Sequence, residues 1–302
     1  MRAAILRIPG GTYKFQDYLD GDGVGAGPIT IAVAITVTGE TVNVDFKGSA
    51  PQADGPVNAN LAIVLAATAY VFRCLLDEEV PFNAGLMRPI TIAAPEGTVV
   101  NARAPAAMAA GNVETSQRIT DVLLGALAQA LPRQIPAASS GTMNNLAFGG
   151  WDPIRKRPFA YYETIAGGMG GGPSHPGQSG VQTHMTNSWN TPVEAIEHQF
   201  PVRIRSYRIR AGSGGRGASP GGDGITREFE FLAPAEVTIL SDRRSRGPYG
   251  LQGGAAGQPG RNSLRKRNRT RSLSAKTKFE VKSGETLRID SPGGGAFGRS
   301  RK

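Results

Sequence analysis

The sequence predicts an α+β fold in which most strands are antiparallel, with two main helices and glycine-rich loops. Three observations lead to this prediction. Apolar β-branched runs are separated by short turns, two longer segments have helical spacing, and glycine clusters separate the strand-like runs of the last third. With 302 residues and 39% hydrophobic content, the chain can form one large domain or two smaller ones.

The first strands are predicted to form antiparallel pairs. Residues 29–37 and 42–46 are apolar and β-branched, and the turn Thr38-Gly-Glu40 between them is typical of a hairpin. A second strand pair is predicted for residues 89–93 and 98–101, around Pro95-Glu-Gly97. No membrane span is predicted, because the longest apolar stretch is shorter than the ~20 residues that cross a bilayer. Without a signal-peptide pattern, we expect a cytoplasmic protein.

The first helix is predicted from residue 60 to about residue 78, where alanine and leucine dominate. Asn58 or Asn60 is available as its N-cap, and Pro81 follows its end. The helix holds the single cysteine, Cys74, so an intramolecular disulfide and a thiolate zinc cluster are excluded. Its apolar neighbours favour a buried core position for Cys74 over a nucleophile.

The second helix is the clearest element, because leucine and isoleucine recur every four residues from Ile119 to Leu131. Polar residues cluster at its predicted start, and Asn112, Thr115 and Ser116 are available as caps. The cluster fits two roles: it caps the helix, or it holds an anionic or tetrahedral intermediate together with the free N–H groups. The candidate substrate-binding residues here are Glu114, Ser116, Gln117 and Asp121.

The remaining chain is predicted to form short strands separated by glycine and proline. These strand-like runs cover residues 159–164, 202–209, 227–232, 237–240 and 279–290. Gly212-Ser-Gly-Gly-Arg-Gly217 has the spacing of a dinucleotide loop, but Pro220 and another glycine pair follow it where a helix is required. We therefore reject a nucleotide site here and expect that this chain alone does not bind ATP.

Two carboxylates form a candidate acid–base pair. Glu194 and Glu197 lie three residues apart, and a helical turn that starts at Pro192 would place both on one face. Such a pair can exchange protons with a substrate. It can equally stabilise the helix dipole or pair with the arginines of residues 202–205.

The three histidines do not have the spacing of a short metal-ligand motif, so no metal site is predicted. Surface or supporting positions are favoured for His175, His184 and His198. Downstream, Asp242 and Arg243 fit a structural ion pair. Both are also candidate substrate-binding residues, because an arginine can grip a substrate carboxylate in a bidentate manner.

The net charge of +10 suits an acidic partner or an anionic ligand. Much of the excess is local, since the basic run comprises Arg261, Arg265, Lys266, Arg267, Arg269 and Arg271. This run has no aromatic residue for base stacking and matches no nucleic-acid module. A solvated basic loop is therefore preferred over a specific nucleic-acid site.

A series of short motifs extends along nearly the whole chain. In order, these are Asp45-Phe-Lys-Gly48, Gly55-Pro-Val-Asn58, Pro81-Phe-Asn-Ala-Gly85, Asn112-Val-Glu-Thr-Ser-Gln117, His184-Met-Thr-Asn187, Asn190-Thr-Pro-Val-Glu-Ala-Ile-Glu197, Ser213-Gly-Gly-Arg-Gly217, Gly253-Gly254 and Pro292-Gly-Gly-Gly-Ala-Phe-Gly298. Together they resemble the hydantoinase B/oxoprolinase family, which includes the acetone carboxylase alpha subunits. The resemblance covers residues 1–302 as the C-terminal part of the family's catalytic domain, with no division at the glycine-rich residues 167–180.

The resemblance implies a site and a reaction. It favours Glu194, Glu197 and His184 as catalytic residues and Asn187 as a substrate contact. It implies ATP-dependent hydrolysis of a cyclic amide such as 5-oxoproline or a hydantoin, within a hetero-oligomer that contains an ATP-binding hydantoinase A-type subunit. ATP and a divalent metal are implied for the complete enzyme, but the family's metal-binding residues lie upstream of the part matched here. A ketone carboxylase subunit and a non-catalytic assembly module remain alternatives.

Overall fold

The computed structural model describes residues 1–81 and 83–300. Phe82 of the family-like motif at residues 81–85 and the last two residues of the predicted 1–302 domain lie outside the described residues. Contacts divide the chain into two compact units, Met1–Pro136 and Ala137–Lys302. The glycine-rich residues 167–180 lie inside the second unit. No helix in the described parts of the chain is long and apolar enough to cross a membrane.

The first unit contains a four-stranded sheet in the order β1-β2-β3-β4. Its strands are β1 (Gly11–Leu19), β2 (Ile29–Thr38), β3 (Thr41–Asp45) and β4 (Ile90–Ala93). The antiparallel pairing of β2 with β3 confirms the predicted hairpin. Alternate residues of β2 are buried, as a half-buried strand requires.

The predicted pairing of residues 89–93 with residues 98–101 is wrong. β4 instead runs parallel to β3, with Val42 opposite Ile90. Residues 98–101 close a tight local loop, in which the Gly97 N–H donates to the Asn101 carbonyl over 2.9 Å. The predicted turn at residues 95–97 is present, but it follows the end of β4 and does not connect two paired strands.

The helices of the first unit are α1 (Arg2–Ile5), α2 (Leu61–Arg73), α3 (Ala84–Met87) and α4 (Ser116–Ala130). Asn60 caps α2 as predicted, because its side chain accepts a hydrogen bond from the Ile63 N–H. The helix ends at Arg73, before the predicted residue 78. Cys74 therefore follows the helix and is exposed, so its predicted burial is wrong.

The second unit consists of two antiparallel sheets and the short helix α5 (Val193–Gln199). Its strands are β5 (Asn145–Asp152), β6 (Arg157–Glu163), β7 (Val202–Arg210), β8 (Gly224–Phe231), β9 (Ala235–Leu240), β10 (Arg261–Lys266), β11 (Arg269–Leu273), β12 (Lys276–Val281) and β13 (Thr286–Asp290). The strand orders are β11-β10-β13-β8-β7 and β12-β9-β5-β6. The α+β class with mostly antiparallel strands is confirmed.

Two predictions for the second unit are wrong. Residues 279–290 are not one strand, because Gly284 turns the chain with φ +84° and sends β12 and β13 into different sheets. The basic run is not a loop but the hairpin of β10 and β11, whose turn places Arg267 at φ 50°. Charge masked the strand pattern there, since Asn262 and Leu264 are buried at alternate positions.

Aromatic rings join the two sheets of this unit. Phe148 of β5 lies with its ring centroid 5.4 Å from that of Phe231 and 6.0 Å from that of Phe229, both in β8. The Tyr161 ring of β6 lies 5.0 Å from Phe148 on the same sheet. Such edge-to-face and tilted contacts fill a sandwich core with large apolar side chains.

The glycine clusters pack as extended segments against one another and against residues 137–140. We call these segments the glycine lattice, and they comprise residues 137–140, 167–172, 177–180, 213–222, 249–258 and 291–298. Backbone hydrogen bonds link the segments. Gly222 donates to the Met169 carbonyl over 2.8 Å, Gly294 to that of Gly222 over 2.8 Å, and Gly215 to that of Gly294 over 2.9 Å. A Cβ at Gly170 would lie 1.8 Å from the Ala137 carbonyl oxygen, so side chains do not fit between the segments. The clusters are packed loops, as predicted.

Candidate functional site

The polar cluster of the first unit lies at the junction of a π-helical turn (Gly111–Thr115) and α4. Its four candidate residues, Glu114, Ser116, Gln117 and Asp121, are all buried. A Cβ at Gly111 would lie 2.2 Å from the Asn58 carbonyl oxygen, so glycine is required where the turn meets the neighbouring backbone. π-Helical turns occur frequently at functional sites.

The expectation that α4 starts with free N–H groups or a side-chain cap is wrong. Helical hydrogen bonding continues into the π-helical turn, and the N–H groups of Glu114 and Thr115 both donate to the Ala110 carbonyl. Thr115 precedes α4 without a side-chain cap. The Ser116 hydroxyl donates to the Asn112 carbonyl over 2.8 Å, so it serves the turn that enters the helix. Substrate binding by this cluster stays a prediction.

A buried arginine, which sequence reasoning missed, holds Asp121. Arg118 is fully buried, and its Nη1 lies 2.7 Å from Asp121 Oδ2 and 3.1 Å from Asp17 Oδ2. Removing one partner of a buried ion pair typically costs about 3–5 kcal/mol, because a charge is left without compensation. The sequence signal that could have revealed this pair is the position of Arg118, directly before Ile119 of the apolar stripe of the helix.

The second unit contains a buried polar cluster that sequence reasoning also missed. We call it the Glu163 cluster, and it consists of Tyr161, Glu163, Asn190, Tyr207 and Arg227. Glu163 Oε1 lies 2.7 Å from Arg227 Nε, and Glu163 Oε2 accepts from the Tyr161 hydroxyl at 2.9 Å and from Asn190 Nδ2 at 3.0 Å. Asn190 Oδ1 accepts from the Tyr207 hydroxyl at 3.1 Å.

Strand register explains why these charges are buried. Alternate residues of β6 face the core, so Glu163 occupies the same face as Phe159 and Tyr161. Arg227 of β8 is fully buried, and its guanidinium carbon lies 4.2 Å from the centroid of the Tyr207 ring. A charged residue at an inward position of an alternating strand was the signal that could have located this cluster.

Burial also changes the acidity of the cluster. Burial raises the pKa of Glu163, although the Arg227 charge and the hydrogen bonds from Asn190 and Tyr161 oppose this shift. Burial raises the pKa of Tyr161 to about 12, and the neighbouring Glu163 charge adds to that effect. A buried carboxyl group with a raised pKa can hold a proton, and here it also fixes Asn190 at the start of the family-like run.

The candidate acid–base pair lies on α5, which confirms the helical turn predicted after Pro192. Both carboxylates are exposed. Glu197 Oε1 accepts from the Ile204 N–H at 2.8 Å, so it anchors the helix to β7 through the backbone. The predicted pairing with the arginines of residues 202–205 is wrong, because Arg203 and Arg205 pair with Glu230.

The other candidates of the second unit lie on loops. His184 adopts a left-handed conformation with φ 60° and is partly exposed, and Asn187 is exposed. Within residues 1–81 and 83–300, no group of three or more His, Cys, Asp or Glu side chains could hold a metal ion. The described residues therefore do not fit the divalent metal that the resemblance implies, and we derive no step through a metal.

Asp242 has an ion-pair partner that sequence reasoning missed. Lys276 Nζ donates to Asp242 Oδ2 over 2.7 Å, and both side chains are buried. The Arg243 N–H donates to Asp242 Oδ1 over 3.0 Å, while Arg243 itself adopts φ 59°. Asp242 thus supports the local backbone, and a substrate contact by Arg243 stays a prediction.

The family model of hydantoinase B/oxoprolinase matches residues 1–300, and the chain belongs to this family. It is 41% identical to "5-oxoprolinase 1" of Arabidopsis thaliana over 288 residues, which cover 95% of this chain and 22% of that protein. It is 31% identical to the B-type subunit of a putative D-/L-hydantoinase of a Pseudomonas species over 312 residues, 99% of this chain and 52% of that relative. The chain thus spans from about a fifth to about half of these relatives.

Two solved structures share the fold. The ATP-dependent caprolactamase from Pseudomonas jessenii superposes with a TM-score of 0.86 at 24% identity, over 99% of this chain and 53% of that one. A nucleotide-free acetone carboxylase structure superposes with a TM-score of 0.85 at 18% identity, over 99% of this chain and 47% of that one. At these identities the likeness establishes the fold alone.

Proposed function

We propose that this chain forms part of the catalytic domain of a multi-subunit enzyme that hydrolyses a cyclic amide of the 5-oxoproline or hydantoin type in an ATP-dependent reaction. The observation that carries the proposal is the match of almost the whole chain to a protein named 5-oxoprolinase at 41% identity. The likeness to acetone carboxylase is confined to the fold, at 18% identity. Cyclic amide hydrolysis is therefore preferred over ketone carboxylation.

The chemistry requires activation of the amide. A lactam is a poor electrophile, and phosphorylation of its carbonyl oxygen supplies a leaving group that water can displace. We assign that phosphorylation to a hydantoinase A-type subunit and the completion of hydrolysis to the part that contains this chain. In the loop at residues 212–217, the Gly214 N–H donates to Asp223 Oδ1 over 2.7 Å and the Gly215 N–H to the Gly294 carbonyl. These amides are engaged within the protein, which supports an ATP site on the partner.

The contacts of the two glutamates support different proposed roles for them. Glu197 is engaged with the Ile204 N–H, whereas the exposed Glu194 carboxylate makes no hydrogen bond or ion pair within residues 1–81 and 83–300. We therefore propose Glu194 as the proton-transfer group and Glu197 as a residue that positions α5. His184 and Asn187 are proposed to contact the substrate from the preceding loop.

The remaining proposed parts lie beyond this chain. We propose that a divalent metal is held by other parts of the complete enzyme. The Pseudomonas relative is named as one subunit of a hydantoinase, which supports assembly with a second kind of subunit. We propose that the hetero-oligomer is cytoplasmic, because ATP is available there.

Within this chain, the Glu163 cluster would hold Asn190 and thereby the loop that enters α5.

The test is ATP-dependent hydrolysis of 5-oxoproline and hydantoin by this chain mixed with an ATP-binding hydantoinase A-type subunit. The mixture is assayed with and without the N-terminal segment of a family member and a divalent metal. A parallel assay supplies a ketone in place of the cyclic amide, with and without bicarbonate. Hydrolysis that requires the segment would support a split active site. Bicarbonate-dependent consumption of a ketone would favour the carboxylase, and binding to the partner without turnover in any mixture would favour an assembly module.

Glu194→Gln tests the proton-transfer role within the active mixture. Loss of a general acid or base typically lowers kcat by about 10²–10⁴-fold. Glu79→Gln, which changes an exposed carboxylate of the first unit, is the matched control. Unchanged kcat for Glu194→Gln would remove Glu194 from the mechanism and leave the family-level proposal intact.

A further inference from the structure

The basic hairpin of the second unit ends in an exposed edge strand. β11 is the outermost strand of its sheet, beside β10. Its residues from Arg269 to Ser272 are exposed, and Leu273 at its end is buried. An edge strand presents unpaired N–H and C=O groups along one side, which can pair with an added strand. β12 is likewise the outermost strand of the second sheet.

A cleft of about 760 Å³ is lined by residues of both edge strands. Strand register places most of the hairpin residues that line it on one face. Lys266 pairs with Arg269 and Leu264 with Arg271, so these four residues lie on one face of the hairpin, and all four line the cleft. Arg265 pairs with Thr270 at the alternate register position, on the opposite face of the strand, and Arg265 does not line the cleft although Thr270 does.

Basic side chains outnumber acidic ones in the cleft. Within the described part of the chain, neither Arg269 nor Arg271 makes an ion pair or a side-chain hydrogen bond, and Arg271 lies 5.7 Å from the centroid of the Phe279 ring. Lys266 is paired with Glu285 at 3.2 Å. Lys282 and Glu280 also line the cleft, so the lining contains four basic and two acidic residues.

We propose that this cleft binds an acidic, extended segment of a partner protein, which pairs with β11 as an added strand. Main-chain hydrogen bonds along β11 would give the pairing, and Asp or Glu side chains at alternate positions would meet Arg269 and Arg271. The same arginines oppose pairing of β11 with a second basic copy of itself. The positive charge and the open strand edge therefore both favour an acidic, extended segment as the partner.

A single-stranded nucleic acid fits the cleft less well. Such ligands stack their bases on aromatic side chains, and the lining has none. The proposal is independent of the catalytic assignment, because it concerns binding alone.

The test measures binding of the full chain to fluorescent peptides by anisotropy at low salt and at about 0.15 M salt. The probes are a β-prone peptide with alternating glutamates, its lysine counterpart, its version with alternating N-methylated amides, and a single-stranded oligonucleotide. We expect binding of the glutamate peptide alone. The variants are the double charge reversal Arg269→Glu/Arg271→Glu and the control Arg265→Glu, which reverses a charge on the other face of the same hairpin.

The double variant is expected to weaken binding of the glutamate peptide by about tenfold or more, and Arg265→Glu by less than about threefold. Equal weakening by the control would show a non-specific charge effect and overturn the proposal. Unaltered binding of the N-methylated peptide would exclude strand addition. Tighter binding of the oligonucleotide, or no peptide binding up to millimolar concentration, would also overturn it. Circular dichroism of each variant checks that the hairpin change leaves the fold intact.

Discussion

Gly222 is hydrogen-bonded to two other segments of the glycine lattice, at Met169 and Gly294, and Gly222→Ala tests whether the lattice depends on the absence of side chains. An alanine Cβ would lie 1.9 Å from the Gln178 carbonyl oxygen and 2.4 Å from its carbon. Both obstacles are backbone atoms, so no rotamer change relieves the overlap. Gly222 does not have a left-handed φ, and its substitution therefore tests space and not backbone conformation.

The expected cost follows from the displacement that the overlap demands. Ordinary contact begins near 3.4 Å, so the segments must separate by 3.4 − 1.9, or about 1.5 Å. That shift breaks the 2.8 Å hydrogen bonds that the Gly222 backbone makes with Met169 and Gly294. Two lost bonds at about 1 kcal/mol each and overpacking at about 1–3 kcal/mol give a loss of about 3–5 kcal/mol. For a unit of this size, the melting temperature should fall by roughly 10 °C.

Thermal and urea unfolding, followed by circular dichroism and tryptophan fluorescence, measure this effect. Trp151 and Trp189 both lie in the second unit, so fluorescence reports on the unit that contains the lattice. Gly27→Ala is the matched control, because a Cβ there meets nothing within 4 Å and Gly27 has no left-handed φ. A Gly222→Ala protein that melts within about 2 °C of the control would refute the packing argument.

Two further substitutions test buried charges. Asp22→Asn should lower the melting temperature of the first unit by about 5 °C at pH 7, because four backbone N–H groups donate to the Asp22 carboxylate. Burial tends to raise the Asp22 pKa, but these four donors lower it below 3.8 overall. A carboxyl group with a lowered pKa stabilises the fold above pH 3.8, and this contribution is lost as the pH falls through the pKa of the folded state. The difference in melting temperature between the two proteins should therefore shrink toward about pH 3. A difference that stays constant with pH would contradict this explanation. Glu163→Met should lower the free energy of unfolding in urea by about 3–5 kcal/mol, because it leaves Arg227 buried and unpaired. The double variant Glu163→Met/Arg227→Met should recover much of that loss. A double variant no more stable than Glu163→Met would exclude the unpaired charge as the cause.

The sequence was sufficient for elements whose burial follows a regular period. The β2–β3 hairpin and α4 were predicted because one face of each is apolar at spacings of two and of about four residues. The β10–β11 hairpin was missed because its outward positions carry arginine, which hid the buried Asn262 and Leu264. The parallel pairing of β3 with β4 was also out of reach, since two strands separated by α2 are joined only through tertiary packing.

The candidate site divides in a similar way. The helical turn that carries Glu194 and Glu197 was predicted from Pro192, a local signal. The Glu163–Arg227 pair was missed because its members are 64 residues apart and meet only when β6 and β8 bring them into one core. The spacing of residues along the sequence does not reveal charge pairs between distant strands. The best local indication of such a pair is a charged residue at an inward-facing position of an alternating strand.

The residues that carry the family resemblance answer two different physical needs. The motifs at residues 213–217, 253–254 and 292–298 belong to the glycine lattice, where a side chain would collide with neighbouring backbone; a Cβ at Gly294, for example, would lie 2.0 Å from the Met169 carbonyl oxygen. These motifs therefore identify a way of packing. The run at residues 190–197 is different, because its Asn190 is held by a buried carboxyl group while Glu194 remains exposed and unengaged within the described residues. Side-chain hydrogen bonds of Asn190 and Glu197 hold that run in place without using Glu194. This makes residues 184–197 the segment where catalysis should be tested first.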